Sequence, residues 1–171
     1  MNDRRHRFEA EALPHMDAAY NLARWLSRSA ADAEDIVQDA MLRAFRSYDG
    51  FKGGDAKPWL LAIVRNCWRT AMADRRRRAN EPLPEEHEKP LTAEGPDPEA
   101  AALRASEGRA LDLAVASLPE EFREVLILRE MEDMSYREIA DITGAPMGTV
   151  MSRLARARAL LRERWLAEER T

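Results

Sequence analysis

The sequence predicts an all-α protein made of two small helical domains. Three observations carry that expectation. Only 7 of the 171 residues are glycine, and the commonest residues, Ala, Leu, Arg and Glu, are strong helix formers. Apolar residues recur at three- and four-residue spacing, and few stretches alternate as strands do. Between Ala79 and Pro98 the chain reads ANEPLPEEHEKPLTAEGPDP, with five of the nine prolines and six acids. Proline removes helix donors and like charges repel, so this segment is expected to be a flexible acidic linker. The boundaries that follow are 1–78 for the first domain, 79–98 for the linker and 99–171 for the second domain.

In the first domain, Phe8 to Leu13 suit a helix of a turn or two before Pro14. Met16, Ala19, Tyr20, Ala23 and Leu26 follow at helical spacing. Asp32 is the candidate N-cap of the next helix, with Asp35 in its first turn, where acids favour the positive dipole end. Ile36, Val37, Ala40, Met41, Ala44, Phe45 and Tyr48 carry that stripe to about Tyr48. The glycine-containing loop Asp49–Lys57 breaks it. A long helix then runs from Pro58 towards Arg78, with Leu60, Ile63, Val64, Cys67, Ala71 and Met72 as its buried face.

The second domain opens with a helix near 99–116. Ser117 and Glu120 have the spacing of a capping box, with Pro119 in the first turn. Phe122, Val125, Leu126 and Leu128 to Met131 supply the helix behind it. Residues 135–158 then read SYREIADITGAPMGTVMSRLARAR. Ser135 and Glu138 form a further capping box. Gly144 falls where the chain must turn with positive φ, and Pro146 suits the first turn of a new helix. Val150, Leu154, Ala157 and Leu161 recur on one stripe, while Thr149, Ser152, Arg153 and Arg156 fall on the other side. That layout is a helix-turn-helix, whose second helix enters a major groove.

The net charge of −4 argues at first against a nucleic-acid partner. Its distribution points the other way. Residues 1–78 hold 15 Lys/Arg against 11 Asp/Glu, a net of +4, and residues 79–108 hold 2 against 8, a net of −6. Residues 109–171 hold 10 against 12, yet five arginines lie between 153 and 164. Clustered cations matter more than the total for phosphate contact.

Several classes are not expected. No apolar run approaches the roughly 20 residues of a membrane span, and MNDRRHRFEAEALPH has no apolar signal core. A cytoplasmic protein without membrane insertion is expected. The lone Cys67 excludes an intramolecular disulfide and reads as a core residue. His6, His15 and His87 are scattered, and no metal-ligand spacing, phosphate loop or nucleophile motif is present. No enzyme, metal or cofactor is expected.

The order of the motifs resembles one family. DAEDIVQDAMLRAFRSY at 32–48 is similar to regions 2.1–2.2 of an extracytoplasmic-function (ECF) sigma factor of the sigma-70 family. PWLLAIVRNCWRTAMADRRRR at 58–78 resembles regions 2.3–2.4, and SLPEEFREVLILREMEDMSYREIADITGAPMGTVMSRLARARALLRERW at 117–165 resembles region 4. The first domain thus corresponds to region 2 and the second to region 4. The resemblance implies a protein that binds core RNA polymerase and directs it to a subset of promoters, reading the −10 element with region 2 and the −35 element with region 4. Its partners would be the polymerase β′ clamp and β flap, promoter DNA and an anti-sigma protein, and its acidic linker would thread the RNA exit path.

Site residues follow from the resemblance and the spacing together. Asp35, Gln38, Asp39 and Leu42 would touch the clamp, with Leu42 as an apolar anchor in a polar rim. Asn66, Arg69, Thr70 and Arg77 lie close to one helix face and would read the −10 element, Asn66 through a base edge. The loop around Phe51–Lys57 resembles the family's pocket for a flipped-out base. Trp59 and Trp68 could stack there, although such residues more often sit in a core. Gly148, Thr149, Ser152, Arg153 and Arg156 would meet the −35 element. Met151 departs from the basic residue many relatives carry. A stand-alone helix-turn-helix regulator and a helical adaptor are the competing readings. Neither requires the 32–48 block together with the Asn66 helix.

Overall fold

The computed structural model describes residues 2–79 and 108–170. Its helices are α1 (Asn2–Ala12), α2 (Met16–Ser27), α3 (Ala30–Arg46), α4 (Ala56–Arg78), α5 (108–116), α6 (Glu120–Leu126), α7 (Tyr136–Thr143) and α8 (Met147–Glu169). Among the described residues there is no strand. The linker expected at 79–98, Ala79 apart, lies outside the described residues, as do residues 99–107 of the helix expected near 99–116.

Helix α1 is longer than its apolar residues suggest. Arg5–Glu9 at 2.9 Å and Arg7–Asp3 at 3.5 Å are ion pairs one turn apart, and they support an otherwise polar first stretch. Phe8 anchors it, edge-on to Phe45 at 5.2 Å and to Tyr48 at 5.5 Å. The cap of α3 is Ser29 rather than Asp32. Ser29 is extended (φ −143°, ψ 128°), and its Oγ accepts the Asp32 N–H at 3.3 Å. Asp32 is therefore already helical, and its carboxylate pairs with Arg75 of α4. Asp55 Oδ1 accepts the Lys57 N–H at 2.9 Å and starts α4 at Ala56, two residues before Pro58.

The second half departs from expectation at one cap. Ser117 does not cap α6. Pro119 is the N-cap residue, Glu120 is the first helical residue, and the Ser117 hydroxyl donates to Ala114 O at 2.7 Å. A capping box needs its acid at the third helical position, and Glu120 stands at the first. Buried Arg123 instead ties the α5–α6 corner, donating to Ala116 O and Leu118 O at 3.1 Å each. Helix α6 runs into a π stretch, Ile127–Met131, closed by the Glu132 N–H on Ile127 O at 3.1 Å. The Ser135–Glu138 capping box forms in both directions, at 3.1 Å and 2.9 Å. Gly144 ends α7 at φ 73°, donating to Ala140 O at 2.8 Å. Pro146 sits just ahead of α8, where its carbonyl accepts the Val150 N–H at 3.0 Å.

Helices α2, α3 and α4 pack together, as do α6, α7 and α8. The two groups also pack on each other, α2 against α6 and α4 against α7. Buried residues from Phe8 to Ala157 consequently form one continuous cluster. This changes the buried surface of α4. Leu60, Val64 and Cys67 are buried as expected, but so are Leu61 and Trp68, while Ile63, Ala71 and Met72 are only half-buried. Helix α4 buries two faces, one in each half. Leu161 is likewise half-buried, and Met131 is exposed.

Two glycines on either side of the turn should behave oppositely. Gly144→Ala is expected to lower stability by about 1–2 kcal/mol, since an L side chain resists the left-handed region. Gly148 is helical, and an added Cβ would meet nothing within 4 Å. Gly148→Ala is expected to cost nothing, or to add up to about 1 kcal/mol. Urea unfolding of both variants checks this, and equal losses would contradict the assigned turn.

Candidate nucleic-acid interface

Three exposed strips are candidates for contact. The first lies on α3. Asp35 and Gln38 are exposed, Asp39 is half-buried, and Leu42 is 54% exposed although apolar. Ala33, Ile36, Val37, Ala40 and Ala44 bury the opposite side, which forces these four residues outward. Asp39 is held by Arg43 one turn on, with contacts of 3.3 Å and 3.2 Å. A groove of about 910 Å³ runs beside the strip, between α1, α2 and α3, with Leu13, Met16, Tyr20, Met41 and Leu42 in its walls.

The second strip lies on α4. Asn66, Arg69, Thr70 and Arg77 are all exposed. The Thr70 hydroxyl donates to Asn66 O at 2.9 Å, and Arg77 lies 4.0 Å from Asp74. The basic end of α4 is not uniform, because Arg75 is committed to Asp32. Of the two candidate stacking tryptophans, Trp59 is half-buried and leans on Phe51 with ring centroids 4.9 Å apart. Tyr48 stacks on Phe51 at 6.2 Å and lies 6.4 Å from Trp59, so the three rings form one cluster. This aromatic group supports the loop that holds Gly53 and Gly54, both at positive φ. Trp68 is buried where α4 meets the second half.

The third strip is on α8. Gly148, Met151, Ser152 and Arg156 are exposed, and Val150, Leu154 and Ala157 are buried behind them. The Arg156 guanidinium lies over the Phe122 ring at 5.5 Å, a cation–π contact that leaves the residue exposed. Thr149 and Arg153 are half-buried instead. Both line a cleft of about 520 Å³ whose other wall is α4, with Arg65, Trp68 and Arg69. Arg153 lies 3.7 Å from Glu121 in that cleft. The structure thus brings Arg69 of the second strip and Thr149 and Arg153 of the third to one place.

Sequence reasoning did not anticipate the polar junction beside this cleft. Glu124 is 4% exposed, and its carboxylate accepts the Arg65 Nε–H. Glu132 is 6% exposed. It accepts the Asn21 amide at 2.8 Å and lies 3.2 Å from Lys57 Nζ, which also donates to its carbonyl at 2.9 Å. Burial pushes the Glu124 carboxyl up, and the bonded Arg65 guanidinium pulls it back. Nothing in the sequence marks either acid, since a charged residue on a short helix or in the turn after one reads as solvated.

Two family models match the chain in the order of these strips. Sigma-70 region 2 matches residues 13–78, and Sigma-70, region 4, matches residues 108–161. The ECF RNA polymerase sigma factor SigE of Mycolicibacterium smegmatis is 38% identical over 149 residues, covering 87% of this chain. This chain spans only 58% of that relative's length. The ECF RNA polymerase sigma-E factor of Haemophilus influenzae is 34% identical over 152 residues, covering 82% of this chain and 77% of the relative. Among solved structures, the sigma factor RpoE of Bartonella quintana, co-crystallised with the anti-sigma factor NepR, superposes with a TM-score of 0.77. It is 30% identical and the match covers 92% of this chain and 96% of that one.

Cys67 lies under the α3 strip and tests how tightly that strip is seated. Burial pushes its thiol up to about 11, with Arg43 pulling it down and Asp39 adding to the rise. The thiol stays protonated at neutral pH, and a protonated, buried thiol is a poor nucleophile. Native protein should therefore resist a disulfide reagent such as dithionitrobenzoate and react only once unfolded. Rapid stoichiometric labelling of the native chain would show that α3 and α4 part easily.

Proposed function

This chain belongs to the sigma-70 family, in its ECF group of RNA polymerase sigma factors, and from that we propose how its residues divide the work of promoter-specific transcription initiation. The first half, residues 13–78, is region 2 and the second, residues 108–161, is region 4. The observation that supports the division is the placement of the strips: each lies on a helix whose other side is buried. Asn66, Thr70, Ser152 and Arg156 are exposed and can meet a partner without unfolding anything, while Arg69, Thr149 and Arg153 border the cleft between α4 and α8.

Asp35, Gln38, Asp39 and Leu42 form the contact for the polymerase β′ clamp. Asn66 reads a base edge of the −10 element, with Arg69, Thr70 and Arg77 on the neighbouring phosphates and sugars. Gly148, Thr149, Ser152, Arg153 and Arg156 serve the −35 element, the first of them through backbone N–H groups at the start of α8. Region 4 also meets the β flap. The sigma factor supplies recognition, and bond formation belongs to the polymerase. The protein acts in the cell interior, where the polymerase is. An anti-sigma protein is a further partner, as the Bartonella sigma factor has one in its crystal.

Polymerase binding provides one test. Asp39→Arg combined with Leu42→Arg should abolish co-purification with core polymerase, because a charge clash at an interface costs several kcal/mol. The melting curve should not move, since neither side chain is in the core. Retained binding with an unchanged melting curve would remove this strip from the interface.

The −35 readers provide another. Arg153→Ala should relax discrimination at one base pair by ~1–3 kcal/mol, because Arg153 is nearer the end of α8 that enters the groove. Arg156→Ala should weaken every sequence alike and reduce the salt slope by about one unit. Binding isotherms across salt and across single-base −35 variants separate the two. Wild-type behaviour in both variants would take α8 out of the DNA interface.

A further inference from the structure

Two acids of region 4 are buried, and the side chains bonded to them come from region 2. Glu124 is bound by Arg65 of α4. Glu132 is bound by Lys57, at the start of α4, and by Asn21 of α2. Glu132 directly follows the π stretch Ile127–Met131, and its N–H closes that stretch on Ile127 O. Arg65 is one residue before Asn66 and one turn before Arg69, so it borders the strip that faces the −10 element. The same junction turns Arg69 towards Thr149 and Arg153 across the 520 Å³ cleft. No duplex fits there, for a major groove alone is about 12 Å wide and 8.5 Å deep. In this arrangement the chain cannot offer those side chains of α4 and α8 to one promoter.

We propose that Glu124 and Glu132 are internal stand-ins for promoter phosphates: by engaging Arg65 and Lys57 they hold the free chain closed, with α4 and α8 turned on each other. The chemistry matches on both sides. A guanidinium accepts a carboxylate or a phosphate with the same planar set of donors. An ammonium treats either as a point charge. Opening the junction releases two cations onto the promoter-facing side of region 2, where phosphate can take the place of carboxylate. The two halves thus compete with DNA for the same groups, and free sigma factor binds DNA less well than its parts allow. This rests on α4 and α8 being the promoter-facing helices.

The test uses the full-length chain, a short mixed-sequence DNA duplex as probe and small-angle scattering for the opening. Glu124→Gln with Glu132→Gln should raise the radius of gyration. It should tighten duplex binding about 10-fold, within the 5- to 150-fold range of ordinary coupling between sites. Arg65→Gln should open the chain equally but gain no affinity, and its salt slope should be about one unit shallower than that of the acid variant. An acid variant that stays compact with unchanged affinity overturns the proposal. So does an Arg65→Gln variant that gains as much as the acid variant does. Far-UV circular dichroism checks folding. If the double variant loses helix, Glu132→Gln against Lys57→Gln, at the rim of the junction, gives the same contrast. An opened chain whose duplex affinity is untouched by Arg156→Ala places the fault in the promoter-facing reading of α8, not in the closure.

Discussion

The Arg65–Glu124 pair sits where the two halves of the chain meet, and the arrangement of both depends on it. A carboxylate that is 4% exposed has lost its hydration, at a cost of several kcal/mol that only a well-placed counter-charge can offset. That counter-charge comes from a residue 59 positions away in the sequence. Helix α6 can therefore bury Glu124 only when Arg65 of α4 is brought to it, which the packing of α2 on α6 and of α4 on α7 achieves. Removing one member of such a pair costs about 3–5 kcal/mol, while replacing both with apolar groups is often neutral. The pair is better understood as fixing how the halves dock than as adding net stability. Glu132, with Asn21 and Lys57, fixes a second point, and the apolar contacts around the two complete the docking.

Apolar contact surrounds these polar ties. Leu61 and Trp68 of α4 are buried, so the helix contributes one face to the α2–α3–α4 group and another to α7. Each fully buried Leu is worth about 1.5–3 kcal/mol relative to exposure. The polar groups set the register of an interface whose driving force is apolar. This division is common to many protein interfaces: apolar area gives strength and buried charge gives specificity. Here it operates within one chain.

Function places the opposite demand on neighbouring residues. Leu42 stays 54% exposed in a strip where solvent would favour a polar side chain, which is understandable if polymerase covers it. Asn66, Ser152 and Arg156 remain exposed with their helices anchored from behind. Arg153 is in between, half-buried beside Glu121 in the cleft. The α4 and α8 residues proposed to read promoter DNA border the surface on which the two halves dock. On that proposal they serve two alternative contacts, with the balance between them set by the chain's own charges.

Much of this is legible in the residues. The all-α class, the stripe on α3, the capping box at Ser135 and Glu138, the left-handed Gly144 and the buried Val150, Leu154 and Ala157 follow from local rules, because each depends only on neighbours within two turns. The same locality explains where the expectations fail. Ser29 displaces Asp32 as a cap because Ala30 and Ala31 extend the helix backwards, and Ser117 has no capping role because the chain starts α6 at Glu120. The second buried face of α4, the burial of Glu124 and Glu132, and the convergence of Arg69 with Arg153 are not legible at all. Periodicity reports one stripe per helix and takes charged residues as solvated. Whether Leu61, Arg65 and Trp68 are buried is decided by segments dozens of residues away, and only the packed tertiary structure brings those segments together.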